Sequence, residues 1–125
     1  MALAAVVKKR INPAHLLFEK HLSELAVCFA REFRFHDMRR WRFDYLLTDM
    51  LAGIGLRAWL KASKIAVEIE GAIWNQGRHT RGKGYQADLD KYNAATMMGY
   101  RVLRFSTEDV MLGRAKAFLA AHLKG

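Results

Sequence analysis

Hydrophobic and polar positions alternate in two distinct rhythms along this chain. In residues 14–30, Phe18, Leu22, Leu25 and Phe29 recur at helical spacing and form one stripe. Asn12-Pro13 just before it reads as a helix entry, with Asn12 as N-cap and Pro13 at the first helical position. Residues 31–35 then alternate as a short strand with Phe33 and Phe35 on one face. Residues 36–39 are polar and turn-like, and residues 40–48 form an aromatic-rich strand. Gly53 and Gly55 break residues 49–63, which read as an irregular insertion. Residues 64–70 form a central strand. Residues 71–84 carry four glycines and read as a flexible polar loop. A helix follows over residues 85–98, with Tyr85, Leu89, Tyr92 and Thr96 in one stripe and Gly99 as its C′ residue. Residues 100–105 read as a strand buried on both faces. Ser106-Thr107-Glu108-Asp109 resembles a capping box that opens a last helix running to about Leu123. The order is α-β-β-β-α-β-α, a single α/β domain over residues 1–125 around a mixed sheet, with residues 1–11 as a flexible N-terminal arm.

The central strand, Lys64-Ile65-Ala66-Val67-Glu68-Ile69-Glu70-Gly71, departs from a plain core pattern. Ile65, Val67 and Ile69 share one face, and Ala66, Glu68 and Glu70 share the other. Two like charges on one strand face repel, and burying them unpaired costs several kcal/mol. A divalent cation is the simplest compensation. A third carboxylate, Asp44, stands in the preceding strand, Trp41-Arg42-Phe43-Asp44-Tyr45-Leu46-Leu47.

Composition narrows the chemistry. The chain has 125 residues, of which 52% are hydrophobic, enough for a real core. Lys and Arg number 21 against 12 Asp and Glu, a net charge of +9, with an isoelectric point near 10.1. Such a balance points to nucleic acid, and less often to an anionic membrane surface. Cys28 is the only cysteine, so no disulfide forms within the chain and a Cys-ligated zinc site of the usual kind is excluded. It reads as a packed thiol inside the helical pattern, in keeping with a reducing cytoplasm. No apolar run reaches the about 18–20 residues of a membrane span. Met1 to Val7 is apolar, but Lys8-Lys9-Arg10 follows it, the reverse of a secretory signal.

The order of elements, with Asp on the second strand and Glu-x-acid on the third, resembles the PD-(D/E)XK nuclease superfamily. Its fold is restriction-endonuclease-like, an αβββαβ core with a mixed central sheet flanked by helices. Small phage-associated or very-short-patch-repair-like endonucleases are the most similar members. The pieces that carry the likeness are Glu68-Ile69-Glu70-Gly71, Gly77-Arg78-His79, Asp88-Leu89-Asp90-Lys91-Tyr92-Asn93 and Gly99-Tyr100-Arg101-Val102-Leu103-Arg104-Phe105.

The resemblance implies a metal-dependent endonuclease acting on DNA phosphodiester bonds, with a preference for nicked or branched DNA as one form of its selectivity. Asp44 and Glu68 would ligate Mg²⁺ or Mn²⁺, with the Ile69 carbonyl as a further ligand. Glu19, on the first helix, matches an acid that many members place beside the metal. Helical geometry favours it over Glu24 and puts it at the core edge near His15. The family's third motif residue is usually Lys, and here it is Glu70. Glu70 would then serve as a second metal ligand or as a base acting through water. Substitute cations are Lys91 on the following helix, or Arg78 and Lys83 in the loop.

His79 is a candidate for proton transfer or phosphate contact. Arg78, Arg81 and Lys83, together with Trp74, suit nucleic-acid contact: cations for phosphate and a ring for stacking. Arg39, Arg40 and Arg42 form a second basic cluster, and Arg42 shares the strand face of Asp44. Sequence specificity in so short a chain would need a homodimer, a partner protein or recognition of DNA shape. The expected setting is the cytoplasm of a bacterial or phage-infected cell. The competing reading is a non-catalytic nucleic-acid-binding module on a decayed nuclease fold, for which Glu70 in the lysine position is the main support.

Overall fold

The computed structural model describes residues 12–50, 64–71 and 83–123. Helix α1 (Pro13–Glu24) begins as the sequence suggests, with Ala14 N–H donating to Asn12 Oδ1 at 2.8 Å. Ala14, Phe18 and Leu22 are its buried face. The helix stops at Glu24, well short of residue 30, and Ala26 adopts a left-handed φ of 60°. Leu25 and Phe29 therefore leave the helical stripe. Val27-Cys28-Phe29-Ala30 opens strand β1 (Val27–Arg34) instead, and Cys28 is half-buried on that strand. A short apolar run satisfies both periodicities, and the long pairing with β2 (Arg42–Met50) decides for the strand.

Strand β3 (Ile65–Glu70), helix α2 (Lys83–Met97) and strand β4 (Arg101–Ser106) follow, then α3 (Thr107–Met111) and α4 (Arg114–His122). Among the described residues the sheet is four-stranded, in the order β1-β2-β3-β4. The first two pairings are antiparallel and β3–β4 is parallel, so the sheet is mixed, as expected. Parallel neighbours need a crossover, and α2 lies within that connection. The described chain is thus a small α/β structure on one mixed sheet.

Two apolar clusters flank the sheet. The larger joins Phe18 and Leu22 of α1, Tyr45 and Leu47 of β2, Ile65, Val67 and Ile69 of β3, and Val110 and Leu119 of the last two helices. The smaller joins Phe35, Phe43, Ala66 and Ala95, with Trp41, Leu46, Tyr100 and Val102 packed against it. Ala66 and Ala95 are both fully buried. Small side chains let a helix approach a strand closely, so α2 is seated by an alanine rather than by the expected aromatic stripe. Tyr85, Leu89 and Thr96 of that stripe are exposed, while Tyr92 is half-buried. Gly99 does end the turn after α2, with φ of 90°.

Among the described strands β4 lies at the edge of the sheet and is not buried on both faces: Arg101 and Arg104 are exposed, and Phe105 is its one buried residue. The final helix is split in two at Gly113, whose φ is 78°. The capping box is present, with Ser106 accepting from Asp109 N–H at 2.9 Å and Asp109 accepting from Ser106 N–H at 3.0 Å. Ser106→Ala is expected to cost about 1 kcal/mol, read as a lower midpoint of urea unfolding with unchanged slope. No helix among the described residues is long and apolar enough to cross a membrane.

Candidate metal centre

Asp44 and Glu68 meet where β2 and β3 stop pairing. The strands pair at Leu46↔Ala66 and Tyr45↔Val67, and the same register continued by one residue sets Asp44 opposite Glu68. At that rung side chains take over the backbone bonds. Asp44 Oδ2 accepts from Ile69 N–H at 2.8 Å, and Glu68 Oε2 accepts from Asp44 N–H at 3.1 Å. The other flank of Asp44 is irregular too. Glu32, between Arg31↔Tyr45 and Phe33↔Phe43, has a left-handed φ of 50°. Strict alternation would keep Phe43 and Tyr45 on one face, yet they enter different clusters. A left-handed non-glycine residue costs on the order of 1–2 kcal/mol, and such strain concentrates at functional sites.

The electrostatics at this rung are unbalanced. Burial is the main reason the Asp44 carboxyl holds its proton above the ordinary range; the Ile69 N–H opposes this, and the charge on Glu68 adds to it. Glu68 is 8% exposed, yet well partnered. Its Oε1 accepts from Lys91 Nζ and from Tyr92 Oη, each at 2.6 Å. Burial, followed by the bond to Glu68, pushes the Tyr92 phenol far up, so it acts as a fixed donor. Both residues come from one turn of α2, the helix that Ala95 seats on the sheet.

Glu19 lies beside His15, as expected, and Glu24 pairs instead with Lys116 at 2.7 Å. Glu19 is tightly held: Arg31 Nε and Nη2 donate to its two oxygens at 2.8 and 2.6 Å, and Tyr45 Oη donates at 2.7 Å. His15 Nδ1 is 3.2 Å from the same phenol oxygen. Burial raises the proton affinity of Glu19, but the Arg31 and Tyr45 bonds outweigh it and the net shift is downward. Glu70 forms an ion pair with Arg104 on β4.

The strand assigned to residues 40–48 thus places Asp44 against Glu68, and α2 adds Lys91. Arg42 is exposed, 3.6 Å from Glu32, whose charge is among those acting on Asp44. Arg40 is exposed at the same hairpin end. Trp74, Arg78, His79 and Arg81 fall outside the described residues, as does the side chain of Lys83, the first residue of α2. Sequence reasoning missed Tyr92, Tyr45, Arg31 and Arg104 as members of these clusters. None of the four carries a local signal in the sequence, since each reaches its partner only through the register of the sheet or the crossover.

The donors at this rung are carboxylate oxygens, the type a hard cation such as magnesium takes, although both Glu68 oxygens already accept hydrogen bonds. Among the described residues no three His, Cys, Asp or Glu side chains form a metal-holding group. Mg²⁺ commonly uses only one or two carboxylates and completes its shell with water and substrate phosphate. Asp44 Oδ1 is engaged by no described residue, and burial, with the Glu68 charge as a smaller contribution, disfavours the ionised carboxylate, a cost that a cation would offset. Comparison with known proteins returns no match, whether to family models, curated proteins or solved structures.

Proposed function

We propose that this chain is a Mg²⁺- or Mn²⁺-dependent deoxyribonuclease with a restriction-endonuclease-like core, acting in the cytoplasm. The observation that carries this reading is the rung at which Asp44 and Glu68 replace the β2–β3 backbone bonds with their own carboxylates. Asp44, Glu68 and the Ile69 carbonyl would hold the cation. When bound, the cation supplies Lewis-acid polarisation of the phosphate and acidification of water. Lys91 stands within bonding distance of Glu68 and supplies the positive charge that the family takes from the position of Glu70. It orients Glu68 and is positioned to stabilise added charge on the phosphoryl group. Tyr92 fixes the second donor to the same oxygen. Arg40 and Arg42, exposed at the hairpin end of β2, would supply phosphate contacts, and the net charge of +9 would draw the polyanion in.

The test is cleavage of duplex, branched and single-stranded DNA with Mg²⁺ or Mn²⁺. Cleavage by the wild type and its loss in Asp44→Ala are expected. No cleavage of any substrate, or equal cleavage by Asp44→Ala, overturns the reading. The saturation of Glu68 by Lys91, Tyr92 and Asp44 N–H favours a second reading, a nucleic-acid-binding module that no longer takes metal. Calorimetric titration with Mn²⁺ separates the two, since only the nuclease requires heat of binding that Asp44→Ala removes.

A further inference from the structure

We infer that Arg104 is a further phosphodiester-binding cation of this site and that Glu70 is a positioning residue that holds it. The inference deepens the nuclease reading and rests on it for the identity of the anion. Glu70 occupies the place where the resembled family keeps a lysine, and an acid there would repel phosphate. The tertiary structure answers that repulsion from the adjacent strand. In the parallel β3–β4 pairing Arg104 stands opposite Glu68, and its guanidinium turns to Glu70 two residues on. Among the described residues only the Arg104 Nε is taken up by Glu70. A guanidinium carries five N–H donors in a rigid fork, so the donors that remain match two oxygens of a phosphodiester.

Three geometric facts separate this pair from an ordinary surface salt bridge. Arg104 is fixed on two sides, by Glu70 and by the Tyr92 ring, whose centroid lies 4.9 Å from its Cζ. The same Tyr92 donates to Glu68 at 2.6 Å, so one side chain spaces the guanidinium from the candidate metal ligand. The Arg104 side chain remains 52% exposed while Glu70 is 24% exposed, so the acid is the more sheltered and the cation is presented to solvent. A preoriented, half-exposed guanidinium beside paired carboxylates is suited to planar, bidentate recognition of phosphate in a way a lysine is not.

The experiment measures binding of a short fluorescent DNA duplex in Ca²⁺ or EDTA across a salt series, and cleavage kinetics in Mn²⁺, for wild type, Arg104→Gln, Arg104→Lys and Glu70→Gln. One phosphate contact contributes about 0.9 to the slope of log K against log salt. Arg104→Gln is expected to lower that slope by about one contact, and Arg104→Lys to keep it. Glu70→Gln is expected to leave KM unchanged or lower while kcat falls, because the charge stays and its orientation is lost. An unchanged slope in Arg104→Gln overturns the inference. Should Arg104→Gln fail to fold by thermal melt, Arg104→Lys decides. Weaker binding by about threefold or more at an unchanged slope supports the fork, and wild-type affinity overturns it. Binding in EDTA needs no turnover, so absent cleavage with a lowered slope defeats the nuclease reading alone, and cleavage with an unchanged slope defeats this inference alone.

Discussion

Asp44→Asn is expected to abolish DNA cleavage and, without divalent metal, to make the protein more stable. Asparagine keeps an oxygen to accept from Ile69 N–H and removes a charge that faces Glu68 in a half-buried setting. Discounted for the solvent that still reaches the site, the gain is about 0.5–1 kcal/mol, or a melting temperature higher by about 2–4 °C. Cleavage should fall by at least about 10³-fold, equivalent to ~4 kcal/mol of transition-state stabilisation. The pH dependence follows from the direction of the Asp44 shift. Folded Asp44 holds its proton above the ordinary carboxylate range, so below that range both folded and unfolded forms are protonated, and the destabilising charge appears as pH rises through the folded value. The stability difference between Asp44→Asn and wild type therefore opens as pH rises from the acid side and is complete at neutrality. Mn²⁺ should reverse the order, since it stabilises only the protein that binds it. Melting curves in EDTA and in Mn²⁺ over a pH series, with a cleavage assay, check the set. A variant less stable than wild type in EDTA at neutral pH would contradict the account of Asp44.

Lys91→Met is expected to be among the most destabilising single changes in the described chain. It leaves Glu68, 8% exposed, with only Tyr92 and the Asp44 N–H as partners among the described residues. The Lys91 side chain is itself 14% exposed, so solvent does little to replace it. Breaking a buried ion pair from one side costs about 3–5 kcal/mol, and the two remaining donors bring the expectation to about 2–4 kcal/mol. The double variant Lys91→Met/Glu68→Gln should recover much of that loss, because the stranded charge is gone. On the proposed reading Lys91 and a divalent cation would compete for one carboxylate oxygen of Glu68. Mn²⁺ should therefore restore part of the stability of Lys91→Met and bind it more tightly than wild type, while cleavage falls by about 10²–10³-fold. Urea unfolding of both variants with and without Mn²⁺ measures each quantity. Equal Mn²⁺ affinity in wild type and Lys91→Met would remove Lys91 from the site.

Elements with a strong periodicity and a chemical boundary were legible in advance. Asn12-Pro13 opened α1, Ser106 and Asp109 capped α3, and Gly99 closed the turn after α2, since each depends on groups a few residues apart. Residues 25–30 misled because a short apolar run fits a helix and a strand equally, and only Met50, Leu47 and Leu46 across the ladder settle it. The stripe on α2 misled for a related reason. The helix is seated by Ala95, whose small size matters only against a neighbour such as Ala66.

The candidate site divides along the same line. Alternation and composition, both local properties, were enough to put Asp44, Glu68 and Glu70 in apolar strands of a basic chain. Tertiary structure alone decided their partners. Register puts Asp44 opposite Glu68; the crossover brings Lys91 and Tyr92 to one Glu68 oxygen; and the parallel edge strand turns Arg104 to Glu70. Those pairings join residues more than twenty positions apart. No local preference encodes them, since they arise only when the sheet forms and buried charge must find its counter-charge.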